Sequence, residues 1–167
     1  MKLHTVITSL FIAAALSACQ PHTHNSNNTP QTQDITAPMI IKKASPYSAG
    51  ETIDRLENIL TAKGLTVFTR VNHAAGAKKV GIDMAGSELI IFGNPKLGTP
   101  LMLENPAMGL DLPLKALAYT DANGQTYLTY TAPAELQSRH RISENSGIIA
   151  KMTGALDAMT SAAVSEN

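Results

Sequence analysis

The chain has a single cysteine, Cys19, and no tryptophan; three phenylalanines and four tyrosines are its whole aromatic complement. One thiol excludes an intramolecular disulfide and any Cys-x-x-Cys redox pair. So few aromatics leave aliphatic side chains to dominate the core. Neither sign of charge is in excess, with 13 Lys and Arg against 13 Asp and Glu. There is no basic surplus to hold nucleic acid and no polybasic run to attract anionic lipid. Common catalytic signatures are missing too. No Gly-x-Ser-x-Gly elbow, His-Glu-x-x-His or Walker loop occurs, and no paired acids stand at a spacing that declares glycoside chemistry. These absences predict neither a cofactor nor a metal site.

What is present begins with an address. Leu3 to Leu16 is almost wholly apolar, yet shorter than the ~20 apolar residues a membrane span needs. Leu16-Ser17-Ala18-Cys19 follows it and resembles the lipobox of bacterial lipoproteins. The resemblance implies that residues 1–18 are a signal peptide and that Cys19 becomes the lipidated N-terminus. Acyl chains on that one residue would anchor the protein stably in a membrane. Gln20, rather than Asp, follows the cysteine, which by the same resemblance favours the outer membrane, facing the periplasm. The plainer alternative is an ordinary signal peptide that ends by chance in cysteine. Losing Lys2 with the leader leaves 12 basic and 13 acidic residues, a formal net charge of −1.

Residues 19–37 are rich in Asn, Thr, Gln, His and Pro, which cannot bury apolar surface; they predict a disordered tether. The eighteen residues from Gln20 to Ala37 span roughly 20–25 Å on average. Residues 38–132 then read as a domain and 133–167 as a C-terminal helical extension. Met39 to Ala44 predicts a strand. Ser48-Ala49-Gly50-Glu51 is a capping-box pattern, and Ile53, Leu56 and Leu60 recur at helix spacing up to Lys63-Gly64. Leu65, Val67, Thr69 and Val71 alternate with Thr66, Phe68 and Arg70, as in a half-buried strand. Asn72 can cap a short helix that Gly81 stops. Leu89-Ile90-Ile91-Phe92 is a continuous apolar run, which fits a central strand covered on both faces or a strand at a subunit interface. A helix follows within 95–105, with Asn94-Pro95 and Thr99-Pro100 as rival starts. Asp121-Ala122-Asn123-Gly124 between two strand-like runs predicts a hairpin. Ile149, Met152, Leu156, Met159 and Ala163 share one face of a C-terminal helix starting near Asn145-Ser146. This order points to an α/β or α+β fold, two layers around one mixed sheet.

Several of these pieces together resemble the domain of unknown function 302 family over Met39 to Thr131. They are Leu56-Glu57 through Lys63-Gly64-Leu65-Thr66-Val67-Phe68, Asn72-His73-Ala74-Ala75-Gly76-Ala77-Lys78-Lys79-Val80-Gly81, Glu88 through Lys96, and Leu110 through Lys115. The resemblance implies a compact α/β domain that forms a homodimer, with no settled activity. A branch of that family carries cysteines where this chain has Gly93 and Leu114, so thiol-based roles do not transfer.

Two segments are candidate ligand sites. Gly93-Asn94-Pro95-Lys96-Leu97-Gly98-Thr99 joins a buried strand to a helix. It offers backbone N–H groups, Asn94, Lys96 and the Thr99 hydroxyl where anions and ligands dock; the plainer reading is turn and cap chemistry with a solvated lysine. His73, with Lys78 and Lys79, stands at the first turn of a short helix, where the dipole favours the neutral ring. Its plainer reading is a junction histidine beside solvated lysines, either of which could pair with Glu88 or Glu104. His22-x-His24 in the tether could at most hold a metal weakly. His140 reads as a solvated loop or helix end, Asp111 as the organiser of the turn into the next strand, and Met152, Leu156 and Met159 as core or dimer interface.

The expectation is therefore an envelope lipoprotein whose domain, with His73 and the Gly93–Thr99 loop lining one cleft, binds a small ligand or an envelope protein. Two alternatives are kept. One is an enzyme with His73 as general base and Lys78 or Lys96 holding an anionic substrate; the other is a structural dimer.

Overall fold

The computed structural model describes residues 39–166. The expectations for the leader, Cys19, the tether and the His22–His24 pair fall outside the described residues.

β1 (Ile40–Ser45), β2 (Thr66–Asn72), β3 (Ser87–Gly93), β4 (Leu114–Thr120) and β5 (Thr126–Thr131) form one sheet in the order β1-β5-β4-β3-β2. The fold class is α+β. Every neighbouring pair is antiparallel, which corrects the expected mixed sheet. β1 and β2 do run the same way, joined through α1 (Ala49–Ala62), but they are the two edges and never pair. A strand–helix–strand unit in the sequence does not reveal how many strands its crossover skips.

α1 covers one face of the sheet. Ser48 caps it, accepting from the Glu51 N–H at 3.3 Å, and Gly64 ends it at φ +72°. Its stripe Ile53, Leu56 and Leu60 is fully buried against Ile90 and Phe92 of β3, Ala116 and Ala118 of β4, and Leu128 of β5. α5 (Ser146–Val164) lies beside α1 and adds Leu156, Met159 and Ala163 to the same core. α5, within the segment read as a C-terminal helical extension, thus contributes side chains to the core under the sheet.

Among the described residues, no helix of this kind covers the sheet's other face. Leu89 and Ile91 point to it and are half-buried, while Ile90 and Phe92 face the helices. The apolar run is thus covered on one face only.

β2 departs from simple alternation. Val67 pairs with Phe92, but Thr69 pairs with Ile91, so Phe68 is an extra residue. This bulge swaps the faces of everything after it. Val67 and Arg70 share the helix side, while Val71, expected to share the face of Val67, turns to the open side.

Between β3 and β4 the chain builds a small lobe from α3 (Pro95–Glu104) and a 3-10 turn (Pro106–Leu110). Asn94 caps α3 with Pro95 in its first turn, and Pro100 lies inside the helix. A second, smaller core of Leu101, Met108, Leu136, Ile142, Ile149 and Met152 joins the lobe to α4 (Pro133–His140) and the start of α5. The sequence reading did not anticipate α4 or the 3-10 turn.

Candidate functional site

The space between α3, the helix-side end of the sheet and α5 is a cavity of about 200 Å³. Phe92 of β3 and Leu114 of β4 line it from the sheet. Met102 comes from α3, and Met152, Leu156 and Met159 come from α5. Phe68, the bulged residue, and Ala155 are among its exposed members, with Pro95, Thr99 and Pro113. Gly93 lies beside the Phe68 ring, where a β-carbon would be in ordinary contact with it at 3.6 Å. Among the described residues that line it, Asn94 and Thr99 are the only ones with polar side chains, and none is charged.

The Gly93–Thr99 segment is where the sequence pointed, but its chemistry differs. The Lys96 N–H donates to Asn94 Oδ1 at 3.0 Å, and the Leu97 and Gly98 N–H groups both donate to the Asn94 carbonyl at 2.9 Å. Pro95 has no N–H to give. The first turn of α3 therefore has no free donors for an anion. Lys96 is exposed and does not line the cavity. Asn94 and Thr99 do.

His73 and Lys78 lie elsewhere. Asn72 pairs with Glu88, whereas Gly93 pairs with Thr66. His73 thus follows one end of the β2–β3 ladder and Asn94 the other, about 17 Å of strand apart. The expected single cleft of His73 and the Gly93–Thr99 loop does not form. Asn72 caps α2 (His73–Lys79), accepting from the Ala75 N–H at 2.8 Å. Neither Glu88 nor Glu104 goes to a lysine. Glu88 binds Arg70 at 2.7 Å, and Glu104 accepts from the N–H groups of Ser143, Glu144 and Asn145 at 2.6, 3.0 and 3.0 Å.

That last contact fastens the cavity's outer wall. The Ser143 N–H above all, with Asn145 and Glu144, holds the Glu104 pKa down to about 2. A second fastening joins Asp111 to α4. His140 Nε2 lies 2.6 Å from Asp111 Oδ2, and Arg139 reaches both carboxylate oxygens at 3.1 Å. Burial opposes ionisation of Asp111, but the hydrogen bonds to His140 and Arg139 outweigh it and lower its pKa. His140 is buried rather than solvated, and Asp111 ties the lobe to α4 instead of merely shaping a turn. A second cavity, of about 310 Å³, lies across Leu114 and Leu156 from the first. Asp111 and Lys115 are on its wall, and that carboxylate is already engaged by Arg139 and His140.

Sequence reasoning missed Phe68 and Met102. The signal for Phe68 was available: it is an aromatic residue on what strict alternation makes the polar face, next to apolar Val67. Met102 carried none, because the α5 side chains it faces, Met152, Leu156 and Met159, are 50 or more positions away along the chain. Among the described residues no group of three or more His, Cys, Asp or Glu could hold a metal ion, and no helix is long and apolar enough to cross a membrane.

Comparison with known proteins agrees with this architecture. The crystal structure of an uncharacterized conserved DUF302 protein from Bacillus stearothermophilus superposes with a TM-score of 0.68 at 23% identity, over 76% of this chain and 99% of that one. Curated relatives include the fluoride-specific ion channel FluC 1 of Brucella suis biovar 1 (strain 1330). It is 44% identical over 112 residues, which is 67% of this chain and 44% of that protein. FluC 1 of Brucella abortus biovar 1 (strain 9-941) matches at the same identity over 42% of its length. The chain thus spans under half the length of the curated relatives it matches. The family described as domain of unknown function DUF302 matches residues 41–159, and with the fold and this extent of match the chain belongs to that family.

Proposed function

We propose that the protein is an envelope lipoprotein whose domain binds a small ligand, without chemistry, in the cavity between α3 and α5. The observation that carries this is the cavity itself: about 200 Å³, walled by aliphatic, thioether and phenyl groups, with few polar groups converging on it. The alternative enzyme, with His73 as general base and Lys78 or Lys96 holding an anion, needs those groups within hydrogen-bond reach of one substrate. Lys96 stands at the opposite end of the strand pair from His73, which leaves Lys78, on α2 with His73, as its one anion holder. Cys19 supplies the membrane anchor in this reading. Relatives named for an ion channel support a membrane setting for this kind of domain. Native mass spectrometry of the protein purified from its own envelope tests the proposal. A co-purifying small molecule is expected, and it should be lost when Ala155→Trp fills the cavity mouth. A protein that always emerges ligand-free would count against it. Cys19→Ala should release the protein from the membrane fraction.

A second feature favours pairing of two copies. Val71, Val80, Ile82 and Met84 are 39–72% exposed at one end of the sheet, and Leu89 and Ile91 continue the apolar surface across its uncovered face. Apolar exposure on this scale marks an interaction surface. We assign it to a homodimer contact; Ile82→Asp should shift sedimentation from dimer to monomer.

A further inference from the structure

The composition of the cavity goes beyond the fact of binding and selects a class of ligand. Resting on the binding reading above, we infer that the cavity takes a neutral, apolar molecule about the size of one aromatic ring with a short substituent. It discriminates against anions.

Three observations lead there. First, size: about 200 Å³ is somewhat larger than the apolar cavities of roughly 150 Å³ that accept benzene. It is below the range of pockets for drug-sized ligands. Second, charge: no lining side chain is charged, and the N–H groups of the adjoining helix start are all bonded to Asn94. An anion entering would lose its water and meet no positive charge, only the neutral Asn94 and Thr99 side chains, a cost that a neutral ring does not meet. Third, adaptability: Met102, Met152 and Met159 reach the cavity from two helices, and the Phe92 and Phe68 rings face it from the sheet. Thioethers have three soft torsions and make favourable contacts with aromatic rings, so the walls can close around a flat guest. Asn94 and Thr99 leave room for one neutral hydrogen-bonding group on the ligand.

Methyl-labelled methionine NMR of the full-length protein tests this with two probes, toluene and benzoate, which share a ring and differ in charge. Toluene is expected to move the Met102, Met152 and Met159 methyl signals and leave exposed Met84 in place. Benzoate is expected to need a concentration roughly a hundredfold higher or more for the same shifts. Ala155→Trp, at an exposed position on α5, is expected to abolish the toluene shifts while the protein's other signals stay dispersed. Should benzoate move those methyls at equal or lower concentration, the ligand class is wrong while the cavity remains a binding site. If neither probe moves them in a protein with dispersed signals, the binding reading falls as well. Toluene shifts that survive Ala155→Trp would place the guest outside this cavity and overturn the inference.

Discussion

Arg70 Nη2 lies 2.7 Å from Glu88 Oε1 across the β2–β3 ladder, and the contact exists only because Phe68 is bulged out of β2. The same guanidinium reaches Asp54 at 2.7 Å and Glu57 at 2.8 Å on α1. Burial works against its charge, but the hydrogen bonds to Asp54, Glu57 and Glu88 prevail and raise its pKa. Without the bulge Arg70 would face the open side, and the 7% exposed Glu88 would be left without its cation.

Arg70→Met should therefore destabilise the domain by about 3 kcal/mol, because it strands a buried carboxylate. Urea denaturation of Arg70→Met, Glu88→Met and the double variant measures this. The double variant should recover a large part of the loss, since no buried lone charge then remains; a double-variant loss equal to the sum of the two single losses would show that the pair is not coupled.

The contact between Glu104 and residues 143–145 predicts an acid-sensitive wall. The folded pKa of about 2 lies below the ordinary 4.5, so the folded state binds this proton less readily than the unfolded chain. Its stabilisation is complete above about pH 4.5 and is lost as pH falls toward 2. Glu104→Gln should melt at lower temperature than the parent at pH 7, and the gap should narrow steadily between pH 5 and pH 3. A gap independent of pH would remove Glu104 as the titrating group.

Asn94 and Lys96 should separate cleanly. Asn94→Ala removes the α3 cap and should cost about 1 kcal/mol, while also loosening one wall of the cavity. Lys96→Ala changes an exposed side chain that touches neither cap nor cavity, so its effect should stay within about 0.5 kcal/mol and ligand affinity should not move. Chemical denaturation with a parallel binding titration decides between them; an affinity loss in Lys96→Ala would restore the anion-holding role.

Leu156 is 2% exposed and sits in the α1–α5 core. Leu156→Ala should cost about 2–5 kcal/mol, as for any central core residue. A cost near that of a surface change would mean that α5 is an appendage. Calorimetry of the two proteins answers this.

Local signals were legible along the chain because they depend on neighbours a few residues apart. The Ser48, Asn72 and Asn94 caps, the Gly64 stop, the Asn123-Gly124 hairpin and the amphipathic faces of α1 and α5 all follow from spacing and side-chain chemistry within one turn or one loop. Their number and order sufficed for the α+β class. The Asn94–Thr99 segment, which joins a buried strand to a helix, stood out in the sequence and borders the cavity.

Tertiary structure alone decided the rest. Strand order is set by which edges meet after the crossover, so an all-antiparallel sheet could not be told from a mixed one. The bulge at Phe68 shows itself only against the register of β3, and it alone brings Arg70 to Glu88 while turning Val71 outward. The Asn94 carbonyl and amide consume the donors that the sequence left open to an anion. The cavity itself joins α3, β3, β4 and α5, whose side chains are far apart in sequence and meet only when both helices pack on the sheet. An alternating or helical pattern records which face of an element avoids water; it does not record which other face will be there to meet it.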